Sequence, residues 1–344
     1  MGGRVLAMDT ERSGNIVSDT GWRAIVSKYN FPDRKKSIWQ LIDSIGPLLI
    51  LWIMMYFSIH ISYWITLALA VPAAGFMVRI FIIFHDCGHK SFFKQDKWNV
   101  RIGFFTGLFT FTAYHSWHRS HNKHHATVGN LDKRGEGDVM TMTIEEFKAA
   151  SFWKRIFYRV YRNPVVLFLI APPLIFIVQN RIFTRKLQKR EKWNIVLTNL
   201  TLLLLIGGLG LILGFKVLLL IQLPVYYLAS VWGVWLFYVQ HQYDRVHWYR
   251  TDKWDYETVA LNGSSFYKLP KLLQWFSGHI GFHHVHHLSA RIPNYKLEQC
   301  HKENMLFRKI EPVTIAESFK SLRLRLWDEK SNRLVSFTEA LSKA

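Results

Sequence analysis

Two long apolar blocks interrupt an otherwise polar chain. The first runs from Ser44 to Phe84, 41 residues with only His60 and Arg79 as acidic or basic side chains. As a helix it would measure about 61 Å at about 1.5 Å per residue, whereas one membrane crossing needs about 20 residues. The block therefore predicts two transmembrane helices that turn at residues 58–62. Arg79 is close enough to the end of the second helix to extend toward water.

The second block extends from Asn194 to Val239, and Lys216 is its only charged residue. It predicts another helical hairpin, with its turn in the sequence LGFK at residues 213–216. A soluble protein can bury one such stretch, but two blocks of this length with polar flanks are typical of a membrane protein. The predicted fold class is an all-α integral membrane protein with four transmembrane helices.

Two shorter apolar segments, 102–114 and 165–178, predict interfacial or re-entrant structure. The second has 14 residues and contains Pro172 and Pro173, so it is short for a crossing. Basic residues on both of its flanks place both ends in the cytoplasm by the positive-inside rule. The first is equally short and is interrupted by glycine.

Lysines and arginines before the first helix place the N-terminus in the cytoplasm as well, so four crossings bring the C-terminus to the same side. The predicted protein is a multi-pass protein of the cytoplasmic membrane. Its regions are a cytoplasmic N-terminal segment (1–43), a first hairpin (44–84), a cytoplasmic region with the two short apolar segments (85–193), a second hairpin (194–239) and a helical cytoplasmic region to the end (240–344).

Composition changes this picture little. The 344 residues carry a net charge of +20, and the mean hydropathy is only +0.05, because apolar hairpins and basic loops cancel in the average. The charge predicts contact with anionic lipid and with an acidic partner, and it is not interpreted as a nucleic-acid signal. Two cysteines are too few for a disulfide scaffold or a cysteine metal site.

Histidine is the informative residue type, since 16 are present. Three clusters have helical spacing and fall in the cytoplasmic regions: HDCGH, HNKHH and HHVHH. Offsets of three and four residues put side chains on one side of a helix. The candidate metal ligands are His85, His89, His121, His124, His125, His283, His286 and His287. In the third cluster, His284 points elsewhere.

Imidazole suits iron, zinc or copper, and eight imidazoles are enough for two metal ions. His241, just beyond the last crossing, is a ninth candidate ligand, and His118 competes for the ligand role. The other histidines, His60, His115, His247 and His301, are interpreted as surface residues or as partners of ligands. Asp86, Asp132 and Asp138 are candidate acceptors for the second ring N–H of a ligand.

Ligation by histidine alone at a membrane surface suggests redox chemistry on a lipid. The chain has no GxGxxG, Walker or CxxCH motif, so no bound nicotinamide, flavin or haem is expected, and electrons must come from a separate carrier. The HExxH motif of zinc proteases is also missing.

The order HxxxH, HxxHH, HxxHH in this membrane setting resembles the integral-membrane fatty acid desaturases. The segments IFIIFHDCGHKSFFKQ, SHNKHHATVGNLDKRGEGD, GVWLFYVQHQ and GSSFYKLPKLLQWFSGHIGFHHVHHLSARIPNYKL are similar to bacterial acyl-lipid desaturases, most closely the Bacillus Δ5 type that acts on membrane phospholipids. The similarity runs from about residue 30 to the C-terminal LRLWDE.

The resemblance implies a two-iron centre that uses O2 and two electrons from ferredoxin or flavodoxin. The product would be a cis double bond in a saturated acyl chain, with the Δ5 position favoured. The eight clustered histidines carry over as iron ligands, and His241 matches the histidine after the last hairpin. The acyl chain needs a narrow apolar tunnel, for which aromatic residues around 102–114 and 232–238 are candidates, although a lipid-facing position is the commoner explanation for such aromatics.

The chain departs from this family pattern at two positions. His279 stands where asparagine is expected, four residues before His283, and is either an added iron ligand or a replacement for an asparagine contact. Asp244 stands where glutamate is expected and is a further candidate partner of the ligands. Two other functions stay open, a related lipid or alkane hydroxylase and a histidine-rich metal transporter.

Overall fold

The computed structural model describes residues 21–135, 137–183 and 186–342. Residues 21–43 of the predicted N-terminal segment 1–43 are covered, and its first 20 residues lie outside the described part.

The described chain is mainly helical. Its α-helices are α1 Gly21–Ser27, α2 Arg34–Ser58, α3 Tyr63–Gly88, α4 Asp96–Phe109, α5 Tyr114–Thr127, α6 Ile144–Ala149, α7 Phe152–Tyr161, α8 Ala171–Ile177, α9 Lys189–Leu213, α10 Phe215–His241, α11 Tyr256–Asn262, α12 Lys271–Phe276, α13 His283–Leu288, α14 Asn294–Glu303, α15 Met305–Arg308, α16 Ile315–Lys320 and α17 Phe337–Ser342. A π-helix, Val166–Ile170, and two 3-10 helices, Gln179–Arg181 and Ser321–Arg323, complete the helical part.

Four of these helices, α2, α3, α9 and α10, are long and apolar enough to cross a membrane. The predicted hairpins are confirmed. Helix α2 ends at Ser58 and α3 begins at Tyr63, as the pattern predicted. Gly214 separates α9 from α10 with a φ of +86°, a conformation that suits glycine because it lacks a Cβ atom.

Helix α3 is the centre of the bundle. It packs against α2, α4 and α10, and it is the most buried of the four long helices. Helix α9 lies at the periphery, where Leu211 is 82 % exposed. In a membrane protein such exposed leucines face lipid, because hydrocarbon replaces the buried core as their apolar surroundings.

The short apolar segments do not form straight crossings in the described chain. Residues 165–178 fall in the π-helix and α8, and the axis of this part is bent by 59° from that of α7. Residues 102–114 form the second half of α4 and the turn after it. Their interfacial or re-entrant position stays a prediction.

Arg79 does not extend toward water, so that expectation was wrong. Its side chain is buried, donates hydrogen bonds to the Ser44 hydroxyl (3.1 Å) and the Trp275 carbonyl (2.5 Å), and lies 3.5 Å from the Asp43 carboxylate. A charge within an apolar helix is stable where it is paired inside the protein. Arg79 therefore ties α2 and α12 to α3.

Two small sheets lie outside the membrane helices, and sequence patterning predicted neither. Strand β1 (Met142–Thr143) is parallel to β4 (Leu326–Asp328), which is antiparallel to β5 (Arg333–Val335). Strand β2 (Phe266–Tyr267) is parallel to β3 (Pro312–Val313). Strands of two or three residues are too short to show alternation. They join the C-terminal region to the loop that follows α5 and to the loop between α11 and α12, which precedes α13.

Candidate metal centre

Nine histidines form two adjacent groups at one end of the helical bundle. Within each group, one ring nitrogen from every residue lies within 4.8 Å of the others. The five-histidine group contains His85, His89, His121, His125 and His286, and the four-histidine group contains His124, His241, His283 and His287. The structure thus brings together all eight clustered histidines and His241.

Helix geometry explains how α5 contributes to both groups. His121 and His125 are four residues apart and lie nearly in line along the helix, whereas His124 is rotated by about 100° from His125. The aligned pair joins the five-histidine group, and His124 joins the other.

Helix α13 repeats this division in reverse. His283 and His287 are the aligned pair and join the four-histidine group, while His286 joins the five-histidine group. Each HxxHH cluster therefore serves both groups, which holds them side by side. The rings of His125 and His287, one from each group, stack with centroids 4.0 Å apart.

The two membrane hairpins supply the remaining rings. His85 is in the last turn of α3, and His89 caps the end of that helix. His241 is the last residue of α10. The candidate metal centre therefore lies where two apolar helices end.

The nitrogen atoms of these rings approach one another closely. The His241 Nε2 lies 3.1 Å from the His124 Nε2 and 2.9 Å from the His283 Nε2. The His283 Nε2 is also 3.0 Å from the His287 Nε2. In the other group, the His125 Nε2 lies 3.2 Å from the His121 Nε2 and 3.1 Å from the His286 Nε2.

This arrangement fits metal ions. A neutral imidazole has a single N–H group, so one ring cannot satisfy several converging nitrogen atoms by hydrogen bonding. The His89 Nε2 is buried and has no hydrogen-bond partner among the described residues. Lone pairs that converge in a buried space are stabilised by a cation, and nitrogen-only donors of this kind suit iron, zinc or copper. The two groups are compatible with a two-metal site.

The protonation state also fits ligation. Burial, reinforced by the neighbouring imidazoles, holds the pKa of His121, His125 and His286 well below the ordinary histidine value. The same causes lower the pKa of His283 and His287. These rings are therefore neutral at physiological pH, which is the form that binds a metal.

Two of the proposed acidic partners contact histidines of the two groups. The Asp86 carboxylate lies 3.2 Å from the His85 Nδ1, and its other oxygen accepts hydrogen bonds from the Asn294 backbone (2.7 Å) and amide side chain (2.9 Å). Asp138 binds the His124 Nδ1. Such contacts would hold each ring in an orientation that leaves its Nε2 lone pair available to a bound metal.

The other two acidic candidates lie elsewhere. Asp132 pairs with Arg250 at 2.6 Å and accepts a hydrogen bond from the Thr251 backbone at 2.9 Å. Asp244 is exposed. Neither contacts a clustered histidine.

We expect Asp138→Asn to weaken metal binding by about 10- to 100-fold, because the amide can present its NH2 group to His124 and no longer fixes the ring. Asp132→Asn is the matched control, since it removes a carboxylate that pairs with Arg250. Metal content after dialysis against graded chelator measures the difference. Equal metal retention in the two variants would contradict the role of Asp138.

His279 lies outside both groups. Its Nδ1 is 3.1 Å from a Glu298 oxygen, and its backbone φ is +57°. His118 is also outside both groups, with its Nε2 2.6 Å from the Asn122 amide nitrogen. The His284 Nε2 lies 3.1 Å from the His301 Nδ1. The structure thus leaves the added-ligand role of His279 without geometric support.

Two neighbours of the centre were missed by sequence reasoning. The Trp117 ring stacks on the His121 ring with centroids 4.4 Å apart. Trp117 stands four residues before His121 on α5, and this spacing could have predicted that the two side chains lie on one side of the helix. Asn294 supports Asp86 from a segment 208 residues away, and no local pattern could have shown this contact.

The family model described as fatty acid desaturase matches residues 35–312 of the chain. This range contains all nine histidines of the two groups. The chain belongs to the fatty acid desaturase family.

Relatives within the desaturase family include an enzyme of Bacillus subtilis (strain 168) named fatty acid desaturase, which is 46% identical over 91% of this chain and 89% of its own length. The sn-1 acyl-lipid omega-3 desaturase (ferredoxin) of Nostoc sp. (strain 36) is 27% identical over 75% of this chain and 70% of its own. The sn-1 oleoyl-lipid 12-desaturase of Picosynechococcus is 27% identical over 65% of each chain.

This membership makes the chain an oxidoreductase of the desaturase type, as the sequence predicted. It also agrees with the four apolar helices, which make this desaturase a membrane protein. The histidine groups are its candidate metal site.

Proposed function

We propose that this desaturase introduces a cis double bond into a saturated acyl chain of a membrane phospholipid, using O2 and two electrons. The observation that carries the proposal is the pair of histidine groups at the ends of apolar helices. We propose the nine grouped histidines as ligands of two irons, with Asp86 and Asp138 as their partners. When bound, the irons supply O2 activation and the oxidising power that removes two hydrogens.

A narrow apolar cavity supports an acyl-chain site. It lies between α3, α8 and α10, and its lining is Met77, Val78, Phe81, Thr110, Phe176, Tyr226, Ala229, Ser230 and Gly233. The ring centroids of Phe81 and Trp117 are 5.5 Å apart, and the Trp117 ring stacks on the His121 ring. The Phe81 and Trp117 rings therefore connect the cavity wall to the five-histidine group, and an acyl chain in the cavity would lie near the proposed metal site.

The protein's part in the reaction is to hold the chain and exclude water. The cavity wall fixes how far an acyl chain can advance, and this position selects the carbon pair that reacts. The resemblance to the Bacillus type leads us to propose the Δ5 position.

We further propose ferredoxin or flavodoxin as the electron donor and the cytoplasm as the side that holds the metal centre. Relatives whose names specify ferredoxin support the first proposal. The second rests on the basic loops, because lysine and arginine favour the cytoplasmic side. A net charge of +20 suits an acidic carrier and anionic lipid.

The test is to incubate purified, iron-loaded protein in phospholipid vesicles with O2 and reduced ferredoxin, and then to locate double bonds by gas chromatography and mass spectrometry. We expect a cis olefin at Δ5. A double bond at another position would overturn only the proposed Δ5 position. A hydroxylated chain without an olefin would point to a hydroxylase, and exchangeable zinc without O2 consumption would point to transport.

A further inference from the structure

A cleft of about 770 Å³ lies on the side of α13 that faces away from the metal centre. Helix α13 separates the two sites, since His283 and His287 belong to the four-histidine group while His284 contacts His301 in the cleft wall at 3.1 Å. The metal site does not use this cleft.

The cleft is strongly basic. Lys268, Lys271, Lys302 and Arg308 line it, and Glu298 is its one acidic residue. Lys302 already pairs with Glu298 at 2.5 Å. The other three cations have no ion-pair partner among the described residues. A concave surface with this surplus of positive charge attracts an anion.

One buried polar group in the wall lacks a hydrogen-bond partner among the described residues. Gln274 is only 7 % exposed, and its Nε2 has no hydrogen-bond partner among the described residues. A buried N–H donor without a partner costs free energy, so a bound acceptor would stabilise it. His279 also holds a left-handed φ of +57°, and strained backbone of this kind is concentrated at functional sites.

The cleft is placed at the membrane surface by α12. The rings of Trp275 and Phe276 pack against the ring of Phe76 on α3, with centroid distances of 5.8 Å and 5.1 Å. Helix α12 therefore lies along a transmembrane helix. On the same short helix Lys271 faces the cleft, and Leu272 is 65 % exposed. An exposed leucine beside lysines is typical of a segment at the lipid headgroup level.

We propose that this cleft binds the phosphate group of a membrane phospholipid. Lys268, Lys271 and Arg308 would neutralise the phosphate, the Gln274 amide would donate to one of its oxygens, and the acyl chains would stay in the bilayer beside Leu272. A concave cleft accommodates a small group and not the convex surface of an acidic protein. The site does not depend on desaturation, so it goes beyond the proposed function.

The test uses the full-length protein in a non-ionic detergent, without O2 or an electron donor. Isothermal titration calorimetry measures binding of dihexanoylphosphatidylglycerol, of inorganic phosphate and of dihexanoylglycerol, which lacks phosphate. We expect saturable binding of the phospholipid, weaker binding of phosphate and none of dihexanoylglycerol. Each of Lys268→Gln, Lys271→Gln and Arg308→Gln should weaken phospholipid binding about fivefold. Glu298→Gln should strengthen it, because it removes the one negative charge.

The matched control is the triple variant Lys309→Gln, Lys320→Gln and Lys330→Gln, which removes three exposed lysines of the same region outside the cleft. It should bind phospholipid as the unmodified protein does. Equal loss in the control and the cleft variants, tighter binding of free phosphate than of phospholipid, or equal binding of dihexanoylglycerol would each overturn the proposal. Because no turnover is measured, failure here is distinct from failure of the proposed reaction.

Discussion

His124→Ala and His286→Ala should each abolish turnover while leaving membrane insertion intact. Each variant removes one ring from a different group. We expect loss of activity by more than about a hundredfold, since changes to residues that only support a ligand already cost about 10- to 100-fold. Iron per chain, measured by mass spectrometry on purified protein, should fall in both variants. The transmembrane helices should still form, because their insertion depends on apolar length.

His118→Ala is the control for these two variants. His118 is on the same helix as His124 and was a competing ligand candidate, but it contacts Asn122 and lies outside both groups. It should retain its iron and its product yield. Full activity in His124→Ala or His286→Ala, or equal iron loss in His118→Ala, would contradict the ligand assignment.

Gly233→Leu should block the apolar cavity. A Cβ atom at Gly233 would meet nothing within 4 Å, and the residue lines the cavity, so the leucine side chain would enter the space without strain. Replacing glycine within a helix should also favour the helix by roughly 0.5–1 kcal/mol. We therefore expect a stable protein that has lost most activity on long saturated chains, or that shifts the double bond toward the methyl end of a chain unable to advance as far.

Gly208→Leu provides the comparison. Gly208 is in α9, and a Cβ atom there also meets nothing within 4 Å, but the residue does not line the cavity. Its product profile should match that of the unmodified protein, with thermal unfolding as the check on stability. An unchanged product profile for Gly233→Leu would show that the acyl chain does not occupy this cavity.

Local periodicity explains why the hairpins could be predicted. An apolar run of about 40 residues determines its own helices and its own turn, because hydrocarbon admits no unpaired backbone groups. In the same way, offsets of three and four residues determined that each histidine cluster shares one side of a helix. Both signals come from residues that are near each other in the chain.

The short strands and the acidic partners could not be read in this way. Asp132 and Asp138 stand in the same loop, and no spacing rule separates them. Asp138 meets His124, whereas Asp132 is held by Arg250 from a segment 118 residues later. Arg79 was misjudged for a similar reason, since its partner Trp275 is 196 residues away.

The sequence by itself determined the membrane class, the four crossings and the histidines that meet at their ends. Only the tertiary structure decided that the rings divide into groups of five and four, that His279 lies in a separate basic cleft, and that Arg79 is buried. The physical reason is that helical periodicity acts between neighbours in the chain, whereas the metal centre and the cleft arise where helices from distant segments pack together.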